Sequence, residues 1–589
     1  MFSKRSVTYN GLDCLADMSD PRYKEYKMQS QAEISWMSQT KYAKYTVYFG
    51  VSTIFLATIK HLYYRYRDLR YKSKQSSNTG TSLIDVFTSY CRYFGYKQVP
   101  EWLVFFSVPN SISSASYMFL SSLYLFCYCL VPHFWYRGCA GFGSPPLGVR
   151  AGLMATALTP FIYVLAGKSN AITLLTGISY EKLNTFHQYV GVAAFVLGII
   201  HTIPFVHQSL AEGGANRLHQ RFSNEFSYYS GIPPLILLGL LCILSKACIR
   251  KYVYELFLHA HWMMGIAYFG TLIWHIDSLL NADDYMWGAL AFWAAQILYR
   301  ILLKTAFKPS SMFLRSREAS LEKIGDGVYQ VIVANTKGIS WSPGQHCFLR
   351  FVGVRILDSH PFSIASMKEN PSGMKFIIRA QNGLTKSLYK ELDKQIITNK
   401  KVYIDGPYGG TFRNPKAFEK VVLVASGTGV TATLPFLTYL TSGEANTIVK
   451  KVSFVWIVRK LQDINWIRSE LLECQKLAGN KVDIQIHVVE DGNPVTETKV
   501  DLEKEISSES SHDSYDEFSV NFGKPSVSAI LKSMIGGFSN RNMIVCSGSD
   551  SMKREVSQTV SELQALVFNN DRYTSNVEEI YLHTESFSW

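Results

Sequence analysis

Two apolar segments of this 589-residue chain each carry a pair of histidines fourteen residues apart: His187 and His201 in FHQYVGVAAFVLGIIH, and His261 and His275 in HWMMGIAYFGTLIWH. Fourteen helical residues come within about 40° of four whole turns, so the rings of a pair share one face, roughly 21 Å apart along the axis. A bilayer interior holds polar rings only where they meet a partner. A lone membrane histidine is more often a helix–helix hydrogen-bonding group, the reading adopted for His133, His207 and His259. Two pairs with one spacing are harder to reach by accident. Two such faces opposed make two stacked bis-imidazole sites, which suits two b-type haems with His187, His201, His261 and His275 on the irons.

The mean hydropathy of +0.03 averages an apolar first half with an ordinary soluble second half. Apolar runs predict about seven membrane spans, near 45–60, 115–133, 151–167, 187–207, 229–247, 253–277 and 285–303, in a domain covering 45–304. The first twenty residues have no apolar core and predict no cleavable signal peptide. Basic residues cluster after the first span (HLYYRYRDLRYKSK), between the fifth and sixth (Lys246, Arg250, Lys251) and after the seventh (Arg300, Lys304, Lys308). Alternation puts all three clusters on the cytosolic side, leaving residues 1–44 as an exoplasmic tail and everything beyond 305 in the cytosol. The two histidine-bearing spans are then parallel. His187 is level with His261 near the cytosol, and His201 with His275 near the outer face.

The formal net charge of +13 flanks the spans, where anionic headgroups account for it. No zinc-finger spacing or basic motif argues for nucleic acid. The ten cysteines include no C-x-x-C; Cys14 and Cys139 both fall on the exoplasmic side, and whether they pair is open at this point.

Beyond residue 310 the pattern changes. Short β-type runs (VYQVIVANT, QHCFLRFV, MKFIIRA, KVYI) predict an antiparallel barrel over 310–412. From 415 to 589 strands alternate with helices, which predicts a doubly wound α/β nucleotide domain. One acidic, Ser-rich stretch at about 497–520 interrupts it and reads as a disordered surface insertion.

Several stretches carry a family likeness over roughly 145–589: LLTGISYEKLNTFHQYVG, YELFLHAH, HPFSIAS, RAQNGLTKSLYKEL, DGPYG, VASGTGVTATLPF, CSGSDSM and the ending YLHTESFSW. They resemble the ferric-chelate reductase and NADPH oxidase superfamily, particularly its fungal ferric-reductase branch. The resemblance implies a bis-haem helical bundle followed by a ferredoxin-reductase-like half that binds FAD and NADPH. It selects His261 over His259 as ligand. It sets Arg150 near haem propionates, with an interfacial anchor as the equal alternative. His360, Pro361, Phe362 and Ser363 form its flavin motif, Phe362 supplying a flat apolar surface. Arg379, Gly383 and Thr385 form its pyrophosphate site, where a capped helix would need the same residues. Gly406 and Gly409 lie at its interdomain turn. Gly427, Gly429 and Thr431 form its nucleotide loop. Cys546 keeps the family's place after the last apolar strand, although the next glycine is shifted and a proline is missing. Arg459 and Lys524 stand where cations would favour the extra phosphate of NADPH, or are solvated charges. Trp589 would stack on the flavin.

The implied function is transmembrane electron transfer from cytosolic NADPH through FAD and two haems to an exoplasmic small molecule, first a ferric chelate, ferric haem included. No protein acid, base or nucleophile is required. The implied setting is a multi-pass protein of the plasma membrane, working beside metal or haem uptake proteins. Two alternatives stand beside this: an oxidase that makes superoxide from dioxygen, and a non-enzymatic membrane haem protein whose soluble half has degenerated.

Overall fold

A computed structural model describes residues 7–73, 82–105, 108–250, 252–304, 316–336, 338–355, 358–369, 373–394, 397–443, 447–489, 518–569 and 577–585. Trp589 and nearly all of the acidic insertion lie outside the described residues. The chain forms two compact units, 1–61 with 115–300 and 62–114 with 301–589. The sequence boundaries had assigned 62–114 to the membrane part; its contacts assign it to the reductase half.

In chain order the helices of the first 304 residues are α1 (Pro21–Glu33), α2 (Thr40–Ser73), α3 (Leu83–Tyr96), α4 (Glu101–Phe105), α5 (Ile112–Leu130), α6 (Pro146–Ala166), α7 (Ala171–Thr176), α8 (Tyr180–Asn224), α9 (Phe226–Tyr229), α10 (Ile232–Leu244), α11 (Ala247–Arg250), α12 (Tyr254–Ile276) and α13 (Asp283–Tyr299). Among the described residues, five segments are long and apolar enough to cross a membrane: Ile112–Leu130, Pro146–Ala166, Tyr180–Asn224, Phe226–Leu244 and Tyr254–Ile276. The expected first and seventh spans fall on α2, whose second half is heavily charged, and on α13, which is 17 residues long. The stretch 208–228, which the sequence places between the fourth and fifth expected spans, is instead helical to Asn224, with Gly214 taking φ +64° at a break.

Close packing in the first unit depends on small residues. A Cβ on Gly148 of α6 would lie 2.7 Å from the Phe205 ring, and one on Gly152 would lie 2.6 Å from His201 Nδ1, so α8 meets α6 closely only because both are glycine. Ahead of α2, the short strands β1 (Thr8–Tyr9) and β2 (Leu12–Asp13) pair antiparallel. A Cys14–Cys139 disulfide, Cα–Cα 5.5 Å, joins this tail to the segment between α5 and α6. Arg137 secures the same junction, donating to the carbonyls of Ser30 (2.7 Å), Ile34 (2.8 Å) and Ser144 (3.0 Å).

The second unit has two six-stranded sheets. One is antiparallel, built from β3 (Arg317–Gly325), β4 (Val328–Val333), β5 (Gln345–Phe351), β6 (His360–Ser363), β7 (Met374–Arg379) and β8 (Ile397–Gly409), in the order β6-β5-β8-β3-β4-β7. The Ala365 amide donates to the Lys375 carbonyl at 2.7 Å, drawing the two edges together as a barrel requires. The other sheet is parallel: β9 (Lys420–Ser426), β10 (Lys451–Val458), β11 (Val482–Val488), β12 (Ser519–Phe522), β13 (Arg541–Ser547) and β14 (Glu579–Glu585), ordered β12-β11-β10-β9-β13-β14. Helices cover both faces, so β9 is apolar on each: Val421, Leu423 and Ala425 enter one core, Val422 and Val424 the other.

Residues 62–114 join this unit through buried charge. Asp68 accepts from Arg413 Nε and Nη2 (both 2.9 Å), from Arg541 Nη2 (2.7 Å) and from the Asn414 amide (3.1 Å). Glu579 accepts from Arg413, Arg541 and Arg92, the last at 2.8 Å. Arg67 pairs with Asp85, and Tyr71 donates to Glu578. Four guanidiniums thus face four carboxyl groups, and removing one partner would leave a buried charge uncompensated. Asp68→Ala is therefore expected to cost the reductase half about 3–5 kcal/mol in urea unfolding; a loss below about 1 kcal/mol would show that the cluster is not a determinant of stability.

The same cluster sets an acid limit. Burial alone would raise the Glu579 pKa, but Arg413, Arg541 and Arg92 hold it well below its ordinary value of 4.5. Because the folded value lies below the unfolded one, its contribution is complete above about pH 4.5 and is lost only as pH falls through the depressed value. Acid unfolding of Glu579→Gln should consequently lack a pH-dependent component that the parent shows below pH 4.5; parallel curves would remove this role.

Candidate functional site

The four histidines of the first unit come together as two pairs. The His187 and His261 rings have centroids 6.2 Å apart at 70°, and those of His201 and His275 are 6.0 Å apart at 74°. His259, two residues from His261, lies about 200° round the helix from it.

Each paired ring has its Nδ1 engaged. His187 Nδ1 lies 2.9 Å from the Ile162 carbonyl and His201 Nδ1 2.8 Å from the Gly148 carbonyl, both on α6. His261 Nδ1 meets the Ser245 hydroxyl at 3.2 Å, and His275 Nδ1 meets that of Ser230 at 2.9 Å. Each serine hydroxyl already donates to the carbonyl four residues back, Ser230 to Phe226 (2.6 Å) and Ser245 to Leu241 (2.5 Å), so its oxygen accepts from the imidazole. Every Nδ1 therefore carries the proton, and every Nε2 keeps its lone pair. Two imidazoles on opposite sides of one metal, each bond about 2 Å, have centroids roughly 6 Å apart. The donor set fits two bis-histidine irons, with the outer partners such ligands normally have.

Sequence reasoning missed the two serines. Each is a small polar residue at the edge of an apolar run, PPLILLGLLCIL, and that placement was the available signal. Arg150, buried, donates to the carbonyls of Cys129 (2.6 Å), Pro132 (3.2 Å) and Phe134 (3.3 Å). Its charge sits at the carbonyl end of α5, where a helix dipole favours a cation.

In the second unit, His360-Pro361-Phe362-Ser363 is the edge strand β6, paired with β5 so that Phe362 faces Cys347 and Ser363 faces His346. Ser363 is buried and Phe362 half-buried. Gly383 (φ +69°) starts the helix Leu384–Leu392, and the Thr385 hydroxyl accepts from the Gln381 amide at 2.9 Å. Arg379 is exposed at the end of β7. Gly406 and Gly409 both take positive φ near the end of β8, which pairs with β5.

The parallel sheet reverses its strand order at β9, from which β10 runs one way and β13 the other. Ligands in such sheets bind beyond the carboxyl ends of the strands at this switch point. Gly427, Gly429 and Thr431 follow β9 there, and Cys546 is the next-to-last residue of β13. A Cβ on Gly429 would lie 2.3 Å from the Ser547 carbonyl oxygen, so only glycine lets the two strand ends touch. The shifted glycine of CSGSDSM has a place in this contact. Gly548 (φ +151°) lies against the Ser426 side chain, and the Ser549 amide donates to Ser426 Oγ at 3.0 Å. Burial pushes the Cys546 thiol up to about 12 against the pull of Lys553, so it is a neutral thiol at the strand end. Arg459 follows β10 and Lys524 follows β12, both exposed at the same end of the sheet.

Family models match residues 151–272 ("Ferric reductase like transmembrane component"), 313–412 ("FAD-binding domain") and 418–561 ("Ferric reductase NAD binding domain"). The ferric/cupric reductase transmembrane component 7 of Saccharomyces cerevisiae is 35% identical, covering 99% of each chain. A probable cell surface ferric reductase of Aspergillus oryzae is 29% identical over 69% of this chain and 56% of its own. Among solved structures, a flavohemoglobin from Malassezia yamatoensis is 14% identical, covers 74% of this chain and 96% of that one, and has a TM-score of 0.35.

Gly429→Ala tests the strand-end contact. The added methyl has only backbone to displace, so dinucleotide affinity should fall about tenfold or more, equivalent to about 1.4 kcal/mol. Unchanged affinity by fluorescence titration would mean the switch-point loop does not hold the nucleotide.

Proposed function

This chain belongs to the fungal ferric/cupric reductase family, and from that premise we propose that it carries electrons from NADPH, through FAD and two b-type haems, across a membrane to an exoplasmic ferric chelate. It is an oxidoreductase with FAD-binding and NAD-binding domains. The observation that carries the finer reading is the two imidazole pairs, each ring with its Nδ1 engaged and its Nε2 available.

Seven spans are favoured over five by packing within the first unit. Tyr124 donates to the Tyr45 carbonyl and Tyr117 to Thr53, so α2 runs antiparallel to α5. Gln296 of α13 donates to the Val164 carbonyl near the end of α6, while Met286 shares a core with Leu153 and Ala157 nearer its start. That makes α13 parallel to α6, and helical backbone continues past Tyr299 to Lys304. With seven crossings, residues beyond 305 lie opposite the tail that holds Cys14–Cys139. A disulfide suits an oxidising exoplasmic side.

FAD would supply hydride acceptance from the nicotinamide, and the haems would supply single-electron transfer over the hydrocarbon's thickness. The chain's part is to hold and orient. His187 with His261, and His201 with His275, would ligate the inner and outer irons. Ser245, Ser230 and the carbonyls of Ile162 and Gly148 fix the tautomer and aim of each ring. Phe362 and Ser363 would hold the flavin, Gly383 and Thr385 its pyrophosphate, and Gly427 to Thr431 the dinucleotide, with Arg459 biasing the choice toward NADPH. Because each site supplies two imidazoles, a bound haem would pass its electron to the acceptor without ligating it.

The acceptor is tested by reducing the purified protein with NADPH without oxygen, then adding ferric citrate, cupric ion or air. Rapid haem reoxidation by ferric citrate is expected; reoxidation by air alone, with superoxide formed, would contradict the reading and identify an oxidase. His261→Leu should lose one haem and all NADPH-driven transfer, while His259→Leu should keep both. Ser245→Ala should weaken retention of the inner haem by about 10- to 100-fold.

A further inference from the structure

The amphipathic helix α3 is turned inside out. Its buried positions are polar or small: Asp85, Ser89 and Gly95. Ser89 donates to the Gln564 carbonyl, Arg92 reaches Glu579 and the Ile580 carbonyl, Ser561 donates to the Tyr93 carbonyl, and the Leu582 amide donates to the Tyr96 hydroxyl. The polar face is thus spent on the nucleotide domain. The opposite face presents Leu83 (89% exposed), Ile84 (53%), Phe87 (70%) and Phe94 (58%), with Cys91 exposed among them. The short α4 that follows adds Trp102, 65% exposed. A soluble helix buries such a stripe.

We propose that this face lies in the headgroup–acyl boundary of the membrane, so that α3 is a surface-lying helix carrying the nucleotide domain on its other side. The proposal rests on the membrane reading above. Three observations select lipid as the occupant. First, the preceding helix also turns an apolar stripe outward: Val51, Phe55, Ile59, Leu62, Tyr66 and Leu69 of α2 are all exposed and fall within about 80° of one another around its axis. Second, the chain leaving α3 begins a candidate span at Ile112, so both neighbours in sequence keep α3 close to a bilayer. Third, the exposed set combines aliphatic and aromatic side chains with a tryptophan, and Arg65 and Arg70 precede it, the composition of a helix that lies on an anionic surface.

The membrane surface would then hold the nucleotide domain through one helix: apolar contact outward, hydrogen bonds and ion pairs inward.

The test uses the full chain in phosphatidylcholine–phosphatidylserine vesicles, with bimane on Cys91 and Cys127, Cys242 and Cys248 replaced by serine. A second sample, labelled at Cys127 of α5 with Cys91, Cys242 and Cys248 replaced, reports the membrane reading independently. Lipid brominated along its acyl chains should quench the Cys91 label about twofold or more, and iodide should quench it little. Leu83→Gln, Phe87→Gln and Phe94→Gln together should reverse that preference. Free quenching of Cys91 by iodide while Cys127 remains bromine-quenched would overturn the proposal and leave the membrane reading intact. Efficient Cys91–Cys91 cross-linking would overturn it in favour of a second copy of the chain. Loss of bromine quenching at both positions would bring down the membrane reading as well.

Discussion

An imidazole inside hydrocarbon is tolerable only when both of its nitrogens are used, and the helical unit is organised by that requirement. Four Nδ1 atoms are satisfied inside the helices, two by carbonyls of α6 and two by serines near the ends of α10. The carbonyl partners demand that α8 approach α6 closely, which Gly148 and Gly152 permit. The serine partners demand that α10 stand beside α12. The paired rings then stand with centroids 6.2 and 6.0 Å apart, a spacing that an iron between two imidazoles would fit.

Charge has the corresponding role in the reductase half. Four guanidiniums and four carboxyl groups from α2, α3, β13, β14 and the adjoining loops meet away from water. Such a cluster is a poor source of net stability but a strict selector of partners, because any missing member leaves a buried charge. It makes a segment from between two expected spans part of the reductase body. The glycine contact between the ends of β9 and β13 lies at the switch point of the parallel sheet in the same body.

Much of this was legible in the sequence where the signal is local. The fourteen-residue spacing put each pair on one helix face, span parity made His187 level with His261 and His201 with His275, and strand alternation marked the barrel and the parallel sheet. Cys14 and Cys139 could be assigned to one side but not paired, since pairing depends on the fold between them. The allegiance of residues 62–114 was not legible. Asp68 finds its partners at Arg413 and Arg541, and no periodicity within α2 points there. The serines were passed over for a related reason: Ser230 and Ser245 look like helix-end residues until α12 is packed beside them. The altered CSGSDSM motif looked like decay in one dimension, and in three Gly548 supplies a turn that fits against Ser426.

The central claim is that paired imidazoles hold two irons at two depths. The most direct measurement is haem content and spin state of the purified full-length chain, by pyridine haemochrome assay and low-temperature electron paramagnetic resonance. Two low-spin haems per chain are predicted. One haem, none, or a high-spin iron with an open position would contradict the account.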